Sequence, residues 1–304
     1  MNDSLHSQDK HPLYDLLLLT FFCFLGGMVF SFLGVLIFSI FFNEQSLLDV
    51  ISGGQLYQNI YFLRCVQIFS SIGIFIFGPV LFTVSKKYPF TNYYQFYKPT
   101  NPILIILSIT VLFAALPLIE WLTAWNNKMV LPESLKGIEI WMRQKEDEAM
   151  TLTKQLLIMK SYTDFAINLL MIAIIPAIGE ELLFRGGIQQ IFGKWFGNPH
   201  IAIWLAAIIF SAIHVQFYGF IPRMFLGALF GYLLFWGKSL WYPIIGHFIN
   251  NGSAVIMAFI YQQNGKGIEE IEKTDNFPAY GYLFSALFTL VLLYNFYQKS
   301  RNRV

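Results

Sequence analysis

Residues Leu16 to Phe42 read LLLLTFFCFLGGMVFSFLGVLIFSIFF, and none of them carries a charge. A helix that crosses a bilayer needs about 20 mostly apolar residues, so this stretch is long enough to span a membrane. It is also longer than the core of a secretory signal peptide, which is about 7–15 residues, and no clear cleavage site follows it. We therefore interpret the stretch as a membrane span.

The rest of the chain contains further stretches of the same kind. The eight candidate spans run from about 16 to 42, 61 to 84, 102 to 125, 165 to 184, 201 to 217, 220 to 236, 240 to 261 and 280 to 297. The fifth and sixth candidates are short and close together, which is compatible with a tight hairpin or a re-entrant segment. The sequence predicts an all-α, polytopic transmembrane helix bundle of about eight spans.

The composition excludes several other classes of protein. Hydrophobic residues make up 56% of the chain and charged residues 12%, whereas a soluble domain carries about 25% charge. A soluble globular enzyme, a disordered protein and a collagen-like chain are therefore excluded. The net charge of +2 provides no broad basic face, so we expect membrane lipid around the protein and no nucleic acid partner. Cys23 and Cys65 lie in apolar stretches and are predicted to be buried small side chains.

Lysine and arginine in the short loops predict the orientation. The first loop, residues 43 to 59, carries Glu44 and Asp49 but no basic residue. The second loop and the C-terminal tail carry basic residues, namely Lys86, Lys87, Lys98, Lys299, Arg301 and Arg303. With an even number of spans, we expect both termini in the cytoplasm. The apparent lack of targeting extensions is compatible with a multi-pass protein of a bacterial plasma (inner) membrane.

The third loop, residues 126 to 160, is predicted to contain an amphipathic helix. Pro132 stands where a helix can begin, and four apolar residues occur at helical spacing: Leu131, Leu135, Ile138 and Met142. Such a helix either lies on the membrane surface or packs on the bundle, and the sequence leaves both alternatives open.

The fourth span carries charged residues that need an explanation, because a charge near the bilayer centre costs about 2.5–3.5 kcal/mol on insertion scales. Glu181 and Arg185 are four residues apart and can pair on one helix face. Glu180 points about 100° away and keeps a carboxylate for chemistry. Pro176 and Gly179 weaken the backbone ladder before the two acids, which can leave room for water or substrate. The alternative is a charged helix end that marks the membrane interface.

Two further spans contribute histidines. His214 ends the run Phe210 to His214 in the fifth span, where it is either a hydrogen-bonded packing residue or a catalyst. His247 and Asn251 are four residues apart in the seventh span and together can donate two hydrogen bonds to one oxygen, as an oxyanion hole requires. They can equally bond neighbouring helices. We predict that these polar groups share one water-accessible pocket and hydrolyse an acyl bond, most simply a peptide bond.

Three motifs summarise these positions: EExxxR from Glu180 to Arg185, FxxxH from Phe210 to His214 and HxxxN from His247 to Asn251. In this order and in successive apolar helices, they resemble the CAAX-protease and bacteriocin-processing family of intramembrane endopeptidases, also called CPBP or Abi. The resemblance extends from about residue 160 to 260. It implies a multi-span helical core, a cavity open towards the membrane interface, and a peptide or membrane-protein substrate.

The resemblance also implies a role for each motif residue. Glu180 is the base that activates water, with His214 as its partner. Glu181 and Arg185 brace this base.

The resemblance also implies that His247 and Asn251 stabilise the oxyanion. The family is described both as metal-dependent and as using a metal-free glutamate mechanism, and the sequence leaves the two open. Glu180, His214 and His247 are a candidate zinc-like ligand set. The HExxH pattern, which places the usual zinc ligands on one helix, does not occur in the sequence.

We divide the chain into N-terminal transmembrane helices with the amphipathic segment (1–160), a catalytic core (161–262), and a loop with a C-terminal transmembrane helix (263–304). Two alternatives to a protease are kept. One is a non-catalytic bacteriocin-immunity or binding protein on the same scaffold. The other is an ion-coupled transporter, since intramembrane Glu and His also serve as relays. Transporters often show paired halves, whereas the polar residues here crowd one half.

Overall fold

The computed structural model describes residues 11–42, 59–96, 101–267 and 277–301. These ranges are helical and contain no β-strand, which confirms the predicted all-α bundle. The helices are α1 (Pro12–Phe42), α2 (Ile60–Ser85), α3 (Phe90–Tyr93), α4 (Pro102–Asn127), α5 (Lys136–Leu156), α6 (Tyr162–Phe196), α7 (Pro199–Ala212), α8 (Phe220–Gly237), α9 (Trp241–Gln263) and α10 (Ala279–Arg301).

Within the described ranges, seven helices are long and apolar enough to cross a membrane. The fifth predicted span, 201–217, is shorter than expected. Its helix, α7, has 14 residues, and at 1.5 Å per residue it is about 21 Å long. The hydrocarbon core is about 30 Å thick, so α7 alone does not cross it. The fourth predicted span, 165–184, is in contrast part of α6, which has 35 residues.

Side-chain caps fix where several helices begin. Asn59, Asn101, Ser161 and Asn198 each accept a backbone N–H from the first turn of the helix that follows. Such caps satisfy N–H groups that have no partner inside the helix. Gly197 ends α6 with a φ of 62°, a left-handed conformation that favours glycine at a helix C-terminus.

Helix α6 departs from regular α geometry before the two acids and again from the second acid onward. Leu169–Ile174 and Glu181–Ile188 are π-helical, and every residue of the second stretch is buried. Gly179 does not leave room for substrate, contrary to our expectation. A Cβ there would lie 2.6 Å from the Cβ of Phe75, so the missing side chain lets α2 pack directly against α6.

A serine from α10 completes the hydrogen bonding of α4 beside Pro117. The Oγ of Ser285 donates to the carbonyl of Ala114 at 2.6 Å and accepts the N–H of Leu118 at 3.2 Å. A group inserted between two such positions bends a helix while keeping its backbone satisfied. This contact joins the first half of the chain to its last helix.

A buried ion pair positions the start of α6. Arg64 of α2 contacts Asp164 at 2.6 Å, and both side chains are almost fully buried. The same guanidinium donates to the carbonyls of Leu156 and Ile158, just where α5 ends. Arg64 therefore ties together α2, α5 and α6, which all contribute to the site described below.

The helix predicted in the third loop exists as α5, although it begins only at Lys136, after a 3₁₀ turn at Glu133–Leu135. Trp141 packs against Phe217 with ring centroids 5.3 Å apart, so α5 contacts the bundle. Ile138 and Ile140 remain at least half exposed. The membrane-surface location of this helix stays a prediction.

The predicted orientation and domain division also stay predictions. Some of the loop residues used for the orientation, Glu44, Asp49, Lys98 and Arg303, lie outside the described residues. The N-terminal helices share one hydrophobic cluster with the later core, in which Leu19 and Phe82 pack with Phe184 and Ile191. Cys23 is buried and Cys65 is half-buried, so the prediction of buried cysteines holds in full only for Cys23.

Candidate active site

A cavity of about 590 Å³ lies among α2, α4, α5, α6, α7, α8 and α9. Its lining residues are Gln67, Ile119, Thr123, Leu152, Thr153, Leu156, Met171, Ile172, Pro176, Glu180, Phe210, His214, Gly219, Pro222, Arg223, Leu226, His247, Asn250 and Asn251. All three predicted motifs contribute side chains to this list. The structure thus brings together Glu180, His214 and His247, which the sequence places in three separate segments.

Glu181, Arg185 and His247 form a buried hydrogen-bonded network beneath the cavity. The Oε1 of Glu181 accepts from Nη1 of Arg185 and from Nδ1 of His247, each at 2.8 Å. Glu181 and Arg185 are 0% and 1% exposed. The predicted pairing of these two residues is confirmed, and the network adds a bond from His247 that the sequence did not reveal. The Oε2 of Glu181 has no hydrogen-bond partner among the described residues.

Aromatic rings enclose the guanidinium of Arg185. It lies 4.6 Å from the ring centre of Phe210 and 5.4 Å from that of Phe230. Its Nη2 donates to the carbonyl of Gly227 at 3.0 Å. Cation–π contacts of this kind strengthen when the cation is desolvated. Arg185 is therefore held from α7 and α8 as well as from α6.

Asn251 donates to a backbone carbonyl that Pro176, which has no N–H, cannot bond. A proline has no N–H, so Pro176 cannot donate to the carbonyl four residues earlier, that of Ile172. The Nδ2 of Asn251 donates to this carbonyl at 2.9 Å, and it also lies 3.2 Å from Nε2 of His247. The predicted common face of His247 and Asn251 is confirmed, and one of the amide donors is used structurally.

Glu180 is the acid of the pair that faces the cavity. Its side chain is 13% exposed, and its Oε2 lies 3.8 Å from Nε2 of His247. Unlike Glu181, it has no hydrogen bond to Arg185 among the bonds of the described residues. The two adjacent acids thus differ in environment, as the 100° rotation between them predicted.

His214 lies in the turn after α7 and not on the helix itself, which corrects the helical position expected from the sequence. The helix ends at Ala212, and Val215 adopts a φ of 53°. The Nδ1 of His214 lies 2.8 Å from the carbonyl of Phe210, to which it donates. This bond fixes the ring and leaves Nε2 for the cavity. Phe210 thereby holds His214 and Arg185 at once.

The candidate zinc-like set is Glu180, His214 and His247. Within the described ranges, no group of three or more His, Cys, Asp or Glu side chains lies close enough together to hold a metal ion. Glu180 and His247 lie 3.8 Å apart and share the cavity with His214, so the zinc-like set stays a prediction.

Sequence reasoning did not assign five polar residues of the cavity: Gln67, Thr123, Thr153, Arg223 and Asn250. Arg223 carried a usable signal, because it is a charged residue inside the predicted sixth span, and the rule that singled out Glu180 applies to it equally. Gln67 and Asn250 are uncharged and gave no comparable signal.

Comparison with known proteins agrees with the motif assignment. Residues 162–253 match the family model described as Rce1-like, type II CAAX prenyl endopeptidase. This range contains all six predicted site residues. No solved structure matches the chain significantly.

Two curated bacterial relatives were found. Uncharacterized protein YpbD of Bacillus subtilis (strain 168) is 27% identical over 113 residues, which cover 36% of this chain and 55% of YpbD. The chain thus spans about half the length of this relative. Membrane-embedded CAAX protease MroQ of Staphylococcus aureus (strain USA300) is 27% identical over 235 residues, which cover 66% of this chain and 90% of MroQ.

Proposed function

From the confirmed resemblance to the CAAX-protease and bacteriocin-processing family, we propose that this multi-pass membrane protein is an intramembrane endopeptidase. It hydrolyses a peptide bond of a peptide or membrane protein near the membrane interface, in a bacterial plasma membrane. The observation that carries the proposal is the shared cavity, in which Glu180, His214 and His247 line one space among apolar helices.

Glu180 and His214 activate the water. Glu180 accepts a proton from a water molecule in the cavity, and Nε2 of His214 helps to orient that water. The water oxygen then forms a bond to the carbonyl carbon of the peptide. When the C–N bond breaks, Glu180 returns the proton to the leaving nitrogen. The surrounding apolar helices exclude bulk water from the cavity. The low dielectric that results strengthens the electrostatic interactions of Glu180 and His214 with the water and the substrate.

His247 and Asn251 are the oxyanion donors in this proposal. Nε2 of His247 lies 3.8 Å from Oε2 of Glu180, and Nδ2 of Asn251 lies 3.2 Å from the same Nε2, so both side chains stand beside the proposed base. Because Nδ1 of His247 donates to Glu181, its Nε2 donates to the oxyanion in a ring that carries both protons, and Nδ2 of Asn251 is the second donor.

Reconstitution in liposomes tests the proposed base. We expect Glu180→Gln and His214→Ala each to abolish cleavage of a quenched fluorescent library of apolar peptides, while membrane insertion is retained. Glu133→Gln, which alters an exposed acid outside the cavity, is the matched control and should cleave normally. Normal turnover by Glu180→Gln would reject the assigned base. Peptide binding without turnover by the unaltered protein would favour the non-catalytic binding or immunity alternative.

Metal dependence is tested separately, by metal analysis of the purified protein and by activity after chelation and metal add-back. A glutamate mechanism that uses only this chain's residues predicts full activity without metal. Loss of activity on chelation and its recovery with zinc would show that the side chains rearrange to bind a metal.

A further inference from the structure

Arg223 brings a positive charge into the cavity that the proposed hydrolysis does not use. It lies in the first turn of α8, and it is the only Lys or Arg among the described residues that line the cavity. Glu180 is the only acid among the same lining residues. The cavity therefore presents one anionic and one cationic side chain to whatever enters it.

The hydrogen bonds of Arg223 leave much of its guanidinium available. Nη2 donates to the side-chain oxygen of Gln216 at 2.8 Å, and Nη1 donates to the carbonyl of Gln216 at 3.4 Å. Both partners are neutral, and a guanidinium has five N–H donors. None of the ion pairs of the described residues involves Arg223, and Glu146 and Glu180 act on its charge from a longer distance. The nearby Glu146 accepts the backbone N–H of Tyr218 at 3.0 Å instead.

Gly219 leaves the space that the guanidinium occupies. A Cβ at this position would lie 2.8 Å from Nη2 of Arg223, closer than a real contact allows. Because Nη2 is the end of a flexible side chain, an alanine would displace the guanidinium without disturbing the backbone. Gln216 and Gly219 together hold the charge at the wall of the cavity.

The other walls of the cavity show what kind of ligand suits this charge. Ile119, Leu156, Met171 and Leu226 form apolar surface in the same space. An apolar cavity whose one guanidinium makes no direct ion pair and keeps free N–H donors fits an apolar molecule that carries one anion. The anions that a peptide carries are carboxylates, and arginine binds a carboxylate through two parallel hydrogen bonds.

We propose that Arg223 binds a carboxylate of the peptide substrate, located either on an acidic side chain or at the chain end. The proposal rests on the proposed function, because it requires that a peptide enter this cavity. It makes Arg223 a specificity-determining residue, distinct from the water-activating pair.

Direct binding tests the proposal without requiring cleavage. Three fluorescent apolar peptides of one sequence are compared: one with a free C-terminal carboxylate, one amidated, and one amidated with an internal Glu. Their affinities are measured by fluorescence anisotropy with detergent-purified Glu180→Gln protein, which holds the peptide uncleaved. We expect one of the acidic peptides to bind about tenfold or more tightly than the amidated neutral peptide, the size typical of a hydrogen bond to a charged group. Which acidic peptide gains identifies the source of the carboxylate.

The preference should disappear when Arg223→Met is added, and it should weaken with Gly219→Ala, which moves the guanidinium but keeps its charge. Arg301→Met is the matched control, because it removes an arginine from the end of α10 and should keep the preference. An unchanged preference in Arg223→Met, or no acidic preference in any protein, would overturn the proposal. Arg223→Met is also introduced alone, with Glu180 intact, to measure turnover. Loss of turnover there with an unchanged binding ratio in the Glu180→Gln background would also overturn the proposal, since Arg223 would then act on the reaction and not on a substrate carboxylate.

The outcome is separable from that of the proposed function. An Arg223-dependent preference in a protein that cleaves no peptide would support the carboxylate site and reject the endopeptidase. Cleavage that depends on Glu180, in a protein that shows no preference for acidic peptides, would support the endopeptidase and reject the carboxylate site.

Discussion

Removal of the buried arginine tests the network beneath the cavity. In Arg185→Met, the carboxylate of Glu181 loses its partner at 2.8 Å while it remains fully buried. Breaking a buried ion pair by removing one partner costs about 3–5 kcal/mol, because the remaining charge is uncompensated. His247 still donates to Glu181, but this single bond does not replace the guanidinium charge. We therefore expect the free energy of unfolding to fall by about 3–5 kcal/mol.

The double variant separates charge from packing. Glu181→Gln with Arg185→Met leaves no unpaired charge, and the new amide oxygen still accepts from Nδ1 of His247. The methionine fills space between Phe210 and Phe230, which enclose the arginine in the unaltered protein. Apolar replacement of a buried ion pair is often neutral or stabilising, so the double variant should recover most or all of the loss of about 3–5 kcal/mol in Arg185→Met.

Equilibrium unfolding in mixed detergent micelles provides the free energies for this double-mutant cycle. Lys145→Met serves as the control, because the exposed pair of Lys145 and Glu148 contributes at most about 1 kcal/mol. The reasoning is refuted if Arg185→Met is as stable as the unaltered protein. It is equally refuted if the double variant loses the sum of the two single losses.

Three further predictions concern the backbone and the surface helix. Pro176→Ala restores an N–H that can donate to the carbonyl of Ile172, the carbonyl that Asn251 bonds. Asn251→Ala should therefore lower the free energy of unfolding by about 1 kcal/mol in the unaltered protein and by less in Pro176→Ala. Equal losses in the two backgrounds would contradict this. Ser285→Ala removes the two hydrogen bonds that join α10 to α4 and should cost about 1 kcal/mol in the same assay. An unchanged stability would count against a stabilising role of this serine. Desolvation raises the pKa of Glu139, but its bonds to Arg143, to a backbone N–H and to Lys136 outweigh this and lower the pKa overall. Its contribution is therefore present above the unfolded pKa and is lost as the pH falls through the lowered one. The protection factors of the α5 amides, which correct for the intrinsic slowing of exchange at low pH, should fall on acidification in the unaltered protein. A Glu139→Gln variant whose protection factors fall by the same amount would show that another group is responsible.

Residue spacing predicted contacts within a single helix well. The pairs of Glu181 with Arg185 and of His247 with Asn251 follow from the four-residue spacing of a helix, and the structure contains both. The long apolar runs likewise predicted the spans, because a bilayer selects length and hydropathy strongly.

Contacts between helices could not be predicted in the same way. The bond of His247 to Glu181 depends on how α6 and α9 pack, and spacing along one helix carries no such information. The position of His214 in a turn was missed because the sequence after Ala212 contains no glycine or proline that would mark a helix end until Gly219. Gly179 was misinterpreted because a glycine in a helix permits either open space or close packing, and only the neighbouring Phe75 decides between them.

The central claim is that the carboxylate of Glu180 performs proteolysis in the cavity. The most direct test compares the membrane peptidome of cells that produce the unaltered protein with that of cells that produce Glu180→Gln at equal abundance. We expect a set of peptide fragments to be present with the unaltered protein and absent with the variant, with the uncut precursor accumulating instead. The same fragments at the same levels in both would contradict the claim.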